Sequence, residues 1–324
     1  MEFIEHFWKV KSRKDESQMP NVWTHIIFGE KVANEVGYDI SEDVKPYFRL
    51  GAQGPDPFFY HNFWPWKKKP VTEIGEKIHY EQCGSFLMKM IDYAREHPND
   101  KKLQAYIIGF LTHHILDRNT HPYIIYRSGN EGNKHQKLEI IIDTLLMKQL
   151  HEVDTWKTPV YKEIFIGKKL YEPIGDMLSH LIDSFFPKTA GKMPNNYIEQ
   201  AYRDMINALK ILYDPNGWKN KFLKEHISPF SYQKQVDDRD YLNLEGTTWL
   251  HPTIETEQYN QTFFQLLDQA EDEGMTILTT TQKYWNHGDK NTYQSLKEKL
   301  GNLSYDTGKD CTLSLINLHF EPIL

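Results

Sequence analysis

At 324 residues, with 39% hydrophobic and 26% charged content, the chain has ordinary globular composition and enough length for one large core or two smaller ones, which excludes disorder as its organising state. Lys+Arg 38 against Asp+Glu 45 leaves a net charge of -7, so no global basic field exists to hold a nucleic-acid backbone, although a local nucleic-acid site stays open. The unusual count is 15 histidines beside two cysteines. Cys83 and Cys311 lie far apart and match no zinc-thiolate spacing, so they argue for neither a disulfide framework nor a cysteine metal site.

The first twenty residues mix acids and bases and lack the apolar run of a secretory signal, and no later stretch is apolar enough to span a bilayer. The expectation is a cytoplasmic protein of undefined oligomeric state, with residues 1–18 as a disordered extension. Apolar residues from Val22 to Val36 recur at helical spacing and Gly37 follows as a C-cap, which predicts a helix with Trp23 and His25 in its first turn. Residues 50–70, LGAQGPDPFFYHNFWPWKKKP, predict an ordered aromatic loop that breaks any helix. Helices are then expected over 81–96, 102–120 with a stop at Pro122, and 134–151. Beyond Pro159 helical patterning continues over about 168–186, 196–213, 257–284 and 292–300, while 214–252 shows no clear period. Strand signals are scarce and no repeat occurs, so an all-α chain is predicted, with a metal-binding core at 19–165 and residues 166–324 packed on the same domain.

The chemistry concentrates in two of these helices. His113, Asp117 and His121 stand at i, i+4 and i+8, and so do His135, Glu139 and Asp143; at about 100° per residue each set projects from one helix face. Set antiparallel, the two columns would face each other and build a polynuclear metal site held by nitrogen and oxygen. Burying such charges among Ile115, Leu116, Leu138, Ile140 and Ile141 without a cation or close partners would cost several kcal/mol each. His114 points to another side of its helix and reads as packing or as support for a ligand, and Asp143 as a carboxylate that orients a ligand.

The stretches MPNVWTHIIFGEKV, GAQGPDPFFYHNFWPW, FLTHHILDRNTHPYIIYRSG and HQKLEIIIDTLL together resemble the bacterial zinc-dependent phospholipase C family, whose all-α multi-helix fold is shared with zinc-dependent single-strand nucleases. That resemblance implies one zinc ion on Asp56, His79, His113 and Asp117, a second on His121, His135 and Glu139, and a third sharing Asp117 and using His25. His61, in the aromatic loop, is the rival for the place of His79. In secreted relatives the mature chain starts at a tryptophan whose amino terminus and carbonyl complete the third site. Trp23 lies inside this chain, so two or three ions are implied.

The expected activity is phosphodiester hydrolysis of phospholipase C type, with a metal-bound hydroxide attacking phosphorus and Asp56 serving as general base or purely as ligand. Phe58, Phe59, Tyr60, Phe63, Trp64 and Trp66 could wall the substrate pocket, caging a quaternary ammonium head or stacking a base. The expected partner is a phosphoester, with a phospholipid foremost. The alternatives are a nuclease, a phosphomonoesterase, or a helical metal-binding protein without turnover.

Overall fold

The amphipathic pattern after residue 21 builds α1 (Val22–Glu35), which buries Val22, Trp23, Ile26 and Val32 and ends two residues before Gly37, whose φ of +67° allows the chain to reverse. Structure is described for residues 22–64, 66–219 and 230–324 of a computed structural model, so the extension at 1–18 falls outside the described residues. Next come α2 (Lys45–Gly51), the single turn α3 (Pro57–Tyr60) and α4 (Thr72–Tyr80), followed by α5 (Cys83–Glu96), α6 (Lys101–Ser128) and α7 (Lys134–His151). Short 3-10 turns at Thr155–Lys157 and Val160–Lys162 lead to α8 (Glu172–Phe185), α9 (Pro187–Ala190) and α10 (Tyr197–Leu212). The chain closes with an antiparallel pair, β1 (Trp249–His251) and β2 (Ile254–Tyr259), and with α11 (Phe263–His287) and α12 (Lys290–Leu300). The fold is all-α apart from this small two-stranded sheet. Among the described residues, no helix is long and apolar enough to cross a membrane.

The central element is α6. Of its 28 residues all but Lys101, Lys102 and Arg127 are buried, and α1, α2, α7 and α11 pack around it. Its approach to α2 is backbone on backbone: a Cβ on Gly51 would lie 2.7 Å from the Tyr106 carbonyl carbon, and one on Gly109 2.6 Å from the Ala52 nitrogen. Asp100 caps the start by accepting from Leu103 N–H at 2.9 Å.

Several expectations change here. The predicted stop at Pro122 is absent, and α6 continues one and a half turns beyond it. The missing N–H of Pro122 frees the Arg118 carbonyl, and Gly308 seats its backbone against that oxygen, where any Cβ would collide. The supposed loop at 50–70 contains the end of α2 and all of α3, and His79, expected ahead of a helix, occupies the last turn of α4. The helix predicted from Glu257 starts at Phe263 instead, because Thr262 and Gln265 form a capping box there while 254–259 pairs as a strand.

Candidate metal centre

Five imidazoles and three carboxylates converge on the site-facing side of α6. The helix itself supplies His113, Asp117 and His121; α1 supplies His25, α4 His79 and α7 His135 and Glu139, while Asp56 stands at the turn before α3. Asp117 is the hub, with its oxygens 2.9 Å from His113 Nε2, 3.3 Å from His25 Nε2 and 3.4 Å from His121 Nε2. Asp56 lies 3.4 Å from His79 Nε2 and 3.7 Å from His113 Nε2. Glu139 lies 3.3 Å from His121 Nε2 and 3.1 Å from His135 Nε2. The ligand atoms thus fall into three tight groups: His25, His113 and Asp117; Asp56, His79 and His113; and His121, His135 and Glu139.

The outward ring nitrogens explain the orientation. His79 Nδ1 faces the Gly75 carbonyl at 2.7 Å, His113 Nδ1 the Ala52 carbonyl at 3.1 Å, and His121 Nδ1 the Asp306 carboxylate at 3.3 Å. Each ring donates outward and presents its Nε2 lone pair inward, the arrangement that metal-ligating histidines require. The buried Asp56 Oδ2 has no hydrogen-bond partner, and the imidazole and carboxylate groups that crowd inward with it are the donor set a divalent cation takes. Although Asp56 sits at an N-cap position, its side chain makes no cap bond and is free to point inward. Gly54, at φ +50°, lets that turn close on the His113 ring.

Electrostatics show how much the groups depend on one another. Burial, with His113 alongside, pushes His25 down to about 3. Against a burial penalty that would raise them, the neighbouring imidazoles hold Asp117 far below the usual carboxylate range and Glu139 at about 2. Asp56 goes the other way, raised by burial.

A cavity of about 270 Å³ opens at the His135 end, lined among others by Phe59, Lys77, Tyr80, His135, Asp306 and Phe320. A family description for zinc dependent phospholipase C matches residues 24–210, more than half of the chain and the span that carries every one of these ligand groups. The chain belongs to the zinc-dependent phospholipase C family. It is accordingly a metal-dependent phosphodiester hydrolase of phospholipase C type, dependent on zinc. A search of curated proteins and a search of solved structures find no match.

For this phospholipase C homologue, the eight residues named as ligands from the sequence all meet at one centre, and His79 rather than His61 stands beside Asp56 and His113. His61 is buried elsewhere, near Asp204 and Gln200. His114 turns away and bonds the Leu303 carbonyl at 2.9 Å, packing on Tyr305. Of the aromatic residues expected to wall the pocket, Phe59 lines the cavity. Phe58 and Tyr60 are core side chains, and Trp64 stacks between Phe63 and Trp66 away from the cavity. Sequence reasoning missed Asp306, which also accepts from the Tyr80 hydroxyl, and Tyr305, whose ring packs 4.8 Å from His79 and 5.8 Å from His113. They belong to a turn with no helical period to mark it; its only signal is the Asp306-Thr307-Gly308 triplet.

Among the described residues, Asp143 bonds none of the site histidines. It accepts from Trp23 N–H at 3.1 Å, Thr24 N–H at 2.8 Å, Thr24 Oγ1 at 2.6 Å and Tyr232 Oη at 2.6 Å, and so fastens the start of α1 to α7. Trp23 N is thereby an amide donor to a carboxylate. Burial raises the Asp143 carboxyl to about 6 from 3.8, so the folded chain takes up a proton on acidification that the unfolded chain does not. Stability from this group therefore grows as pH falls from about 6 towards 3.8, by up to about 3 kcal/mol relative to pH 7. Melting curves of wild type against Asp143→Asn should show wild type gaining on the variant between pH 7 and pH 4. A pH-independent gap between the two would contradict this.

Proposed function

We propose that Asp56, His79, His113 and Asp117 hold one zinc ion, that His121, His135 and Glu139 hold a second, and that His25 with Asp117 offers a third place. The observation that carries this reading is that two of the groups share His113, that Asp117 of the first also reaches His121 of the third at 3.4 Å, and that the third ends at the cavity with His135. Bound zinc supplies Lewis-acid polarisation of phosphoryl oxygens and lowers the pKa of water. The protein side chains then do the rest. Asp117 keeps three imidazoles in register, and Asp306 fixes the tautomer of His121. Asp56 Oδ2, buried and without a hydrogen-bond partner, takes the proton of the attacking water.

The substrate we propose is a phospholipid whose phosphodiester enters the cavity. Its volume of about 270 Å³ suits a head group rather than acyl chains. Three glutamates, Glu73, Glu76 and Glu81, against the single Lys77 that pairs with Glu81, leave the lining net acidic and favour a cationic head, while Leu315 and Ile316 give the glycerol side an apolar rim. With zinc present, a short-chain phosphatidylcholine should be hydrolysed faster than single-stranded DNA or a phosphomonoester, and Asp56→Asn should lower that rate by about 10²–10⁴-fold. Preferential cleavage of DNA would replace the lipid reading by a nuclease, and a zinc-loaded chain that cleaves no phosphoester would end the hydrolytic one.

A further inference from the structure

We infer that Cys83 and Cys311 form an intramolecular disulfide that fastens the turn carrying Tyr305 and Asp306 to the start of α5. Their separation in sequence hides a close approach: the two Sγ atoms lie 3.3 Å apart, and the chain holds no other cysteine to compete. Cys83 is the buried first residue of α5, its sulfur 3.3 Å from the carbonyl oxygens of both Ile78 and His79. Cys311 is half-buried and opens the 3-10 turn Cys311–Leu313. Bond formation at about 2.05 Å requires the sulfurs to close by little more than an ångström.

The backbones on either side are already in position for it. Cys311 N–H donates to the Asn302 carbonyl at 2.9 Å, Gly84 N–H donates to Asn302 Oδ1 at 3.3 Å, and Gly84 sits so close to the Gly301 carbonyl that no Cβ would fit. The same stretch is tied to the metal centre, because Tyr305 N–H donates to the His79 carbonyl at 3.1 Å and Asp306 bonds His121 and Tyr80. A link at Cys311 therefore fixes the far end of the segment that sets the His121 tautomer and forms part of the cavity wall.

The chemistry balances with a small-molecule disulfide as oxidant. The Cys311 thiolate attacks one of its sulfurs and expels a thiolate. The Cys83 thiolate then attacks Cys311 Sγ and expels the mixed-disulfide partner as the second thiolate. One protein S–S bond forms, the oxidant is reduced to two thiols, and these take up the two protons the cysteines gave. Closing so long a stretch of chain constrains the unfolded state strongly and should raise the melting temperature by about 5 °C or more.

The test uses the full zinc-loaded chain, incubated with dithiothreitol or with oxidised glutathione, then alkylated under denaturing conditions, digested and weighed by mass spectrometry, with melting curves taken in parallel. The expected result is a Cys83–Cys311 linked peptide in the oxidised sample alone, reversed by dithiothreitol, together with the melting shift. Cys311→Ser, at the half-buried position, should melt like reduced wild type and show no response to oxidant. Full alkylation of both thiols after oxidation, a glutathione adduct that stays on Cys311, a disulfide-linked dimer, or a link that leaves melting unchanged would each overturn the proposal.

Discussion

Asp117→Asn should hydrolyse phosphodiesters at least about a hundredfold more slowly than wild type and should retain fewer zinc ions per chain by elemental analysis. Supporting residues around a metal typically contribute ten- to a hundredfold in affinity or activity, and Asp117 has the larger role of a carboxylate within 3.4 Å of three imidazoles at once. An amide of the same shape carries no charge and offers one acceptor oxygen, so the His25, His113 and Asp117 group loses its only anion while His121 loses a carboxylate at 3.4 Å. Glu139→Gln provides the comparison, since it weakens the His121 and His135 group and leaves Asp56, His79 and His113 untouched.

Chelation of the wild type should act on stability in the same direction. Each site held at a thousandfold above its Kd contributes about 4 kcal/mol. Removing two such ions should therefore lower the melting temperature by roughly 10–15 °C in a chain of this length. An Asp117→Asn chain with full zinc content and unchanged rate, or a wild type indifferent to chelator, would mean that the buried imidazoles and carboxylates are held by their hydrogen bonds alone.

Gly54→Ala should be the most damaging of the small substitutions. A Cβ at this position would clash with the His113 ring, 2.7 Å from its Nε2, and the backbone there has φ +50°, which alanine adopts only under strain. Overpacking and strain together should cost about 2–5 kcal/mol. The more telling effect is on zinc affinity, which should fall at least tenfold because the ring that moves belongs to two ligand groups. Gly37→Ala separates the two causes. Its φ of +67° imposes similar strain, yet nothing lies within 4 Å of its Cβ, so it should lose about 1 kcal/mol of stability and none of its zinc affinity. Equal zinc affinity in Gly54→Ala and wild type, measured by competition with a chromophoric chelator, would show that His113 does not depend on this turn.

The ligand column on α6 was legible because one helix sets His113, Asp117 and His121 four residues apart, a spacing that survives whatever surrounds the helix. His135 and Glu139 were legible for the same reason. The limits of helix α6 were not, because the residue that closes on the Arg118 carbonyl left free by Pro122 is Gly308, almost two hundred residues on. Asp306 was invisible for a related reason: its role depends on where α12 delivers the chain, and a turn of Ser304, Tyr305, Asp306 and Thr307 carries no period that points to a metal site. The aromatic run after Asp56 misled in the opposite sense. Its hydrophobic mass announces a pocket, yet α3 turns Phe58 and Tyr60 into the core and leaves Phe59 to face the cavity. The helix start at Phe263, by contrast, could have been read from the Thr262-x-x-Gln265 pattern.

The burial of α6 on every side bears on how the centre comes apart. A surface helix can fray or detach while the rest of a protein stays folded, and its amides then exchange with solvent through that local opening. The helix that carries His113, Asp117 and His121 has no such route, because α1, α2, α7 and α11 enclose it and Gly51 and Gly109 lock it backbone to backbone. Its amide protons should exchange only through opening of the whole molecule. The proposed zinc ligands on α6 share that protection, so loss of the centre by unfolding should be a global event rather than a local one.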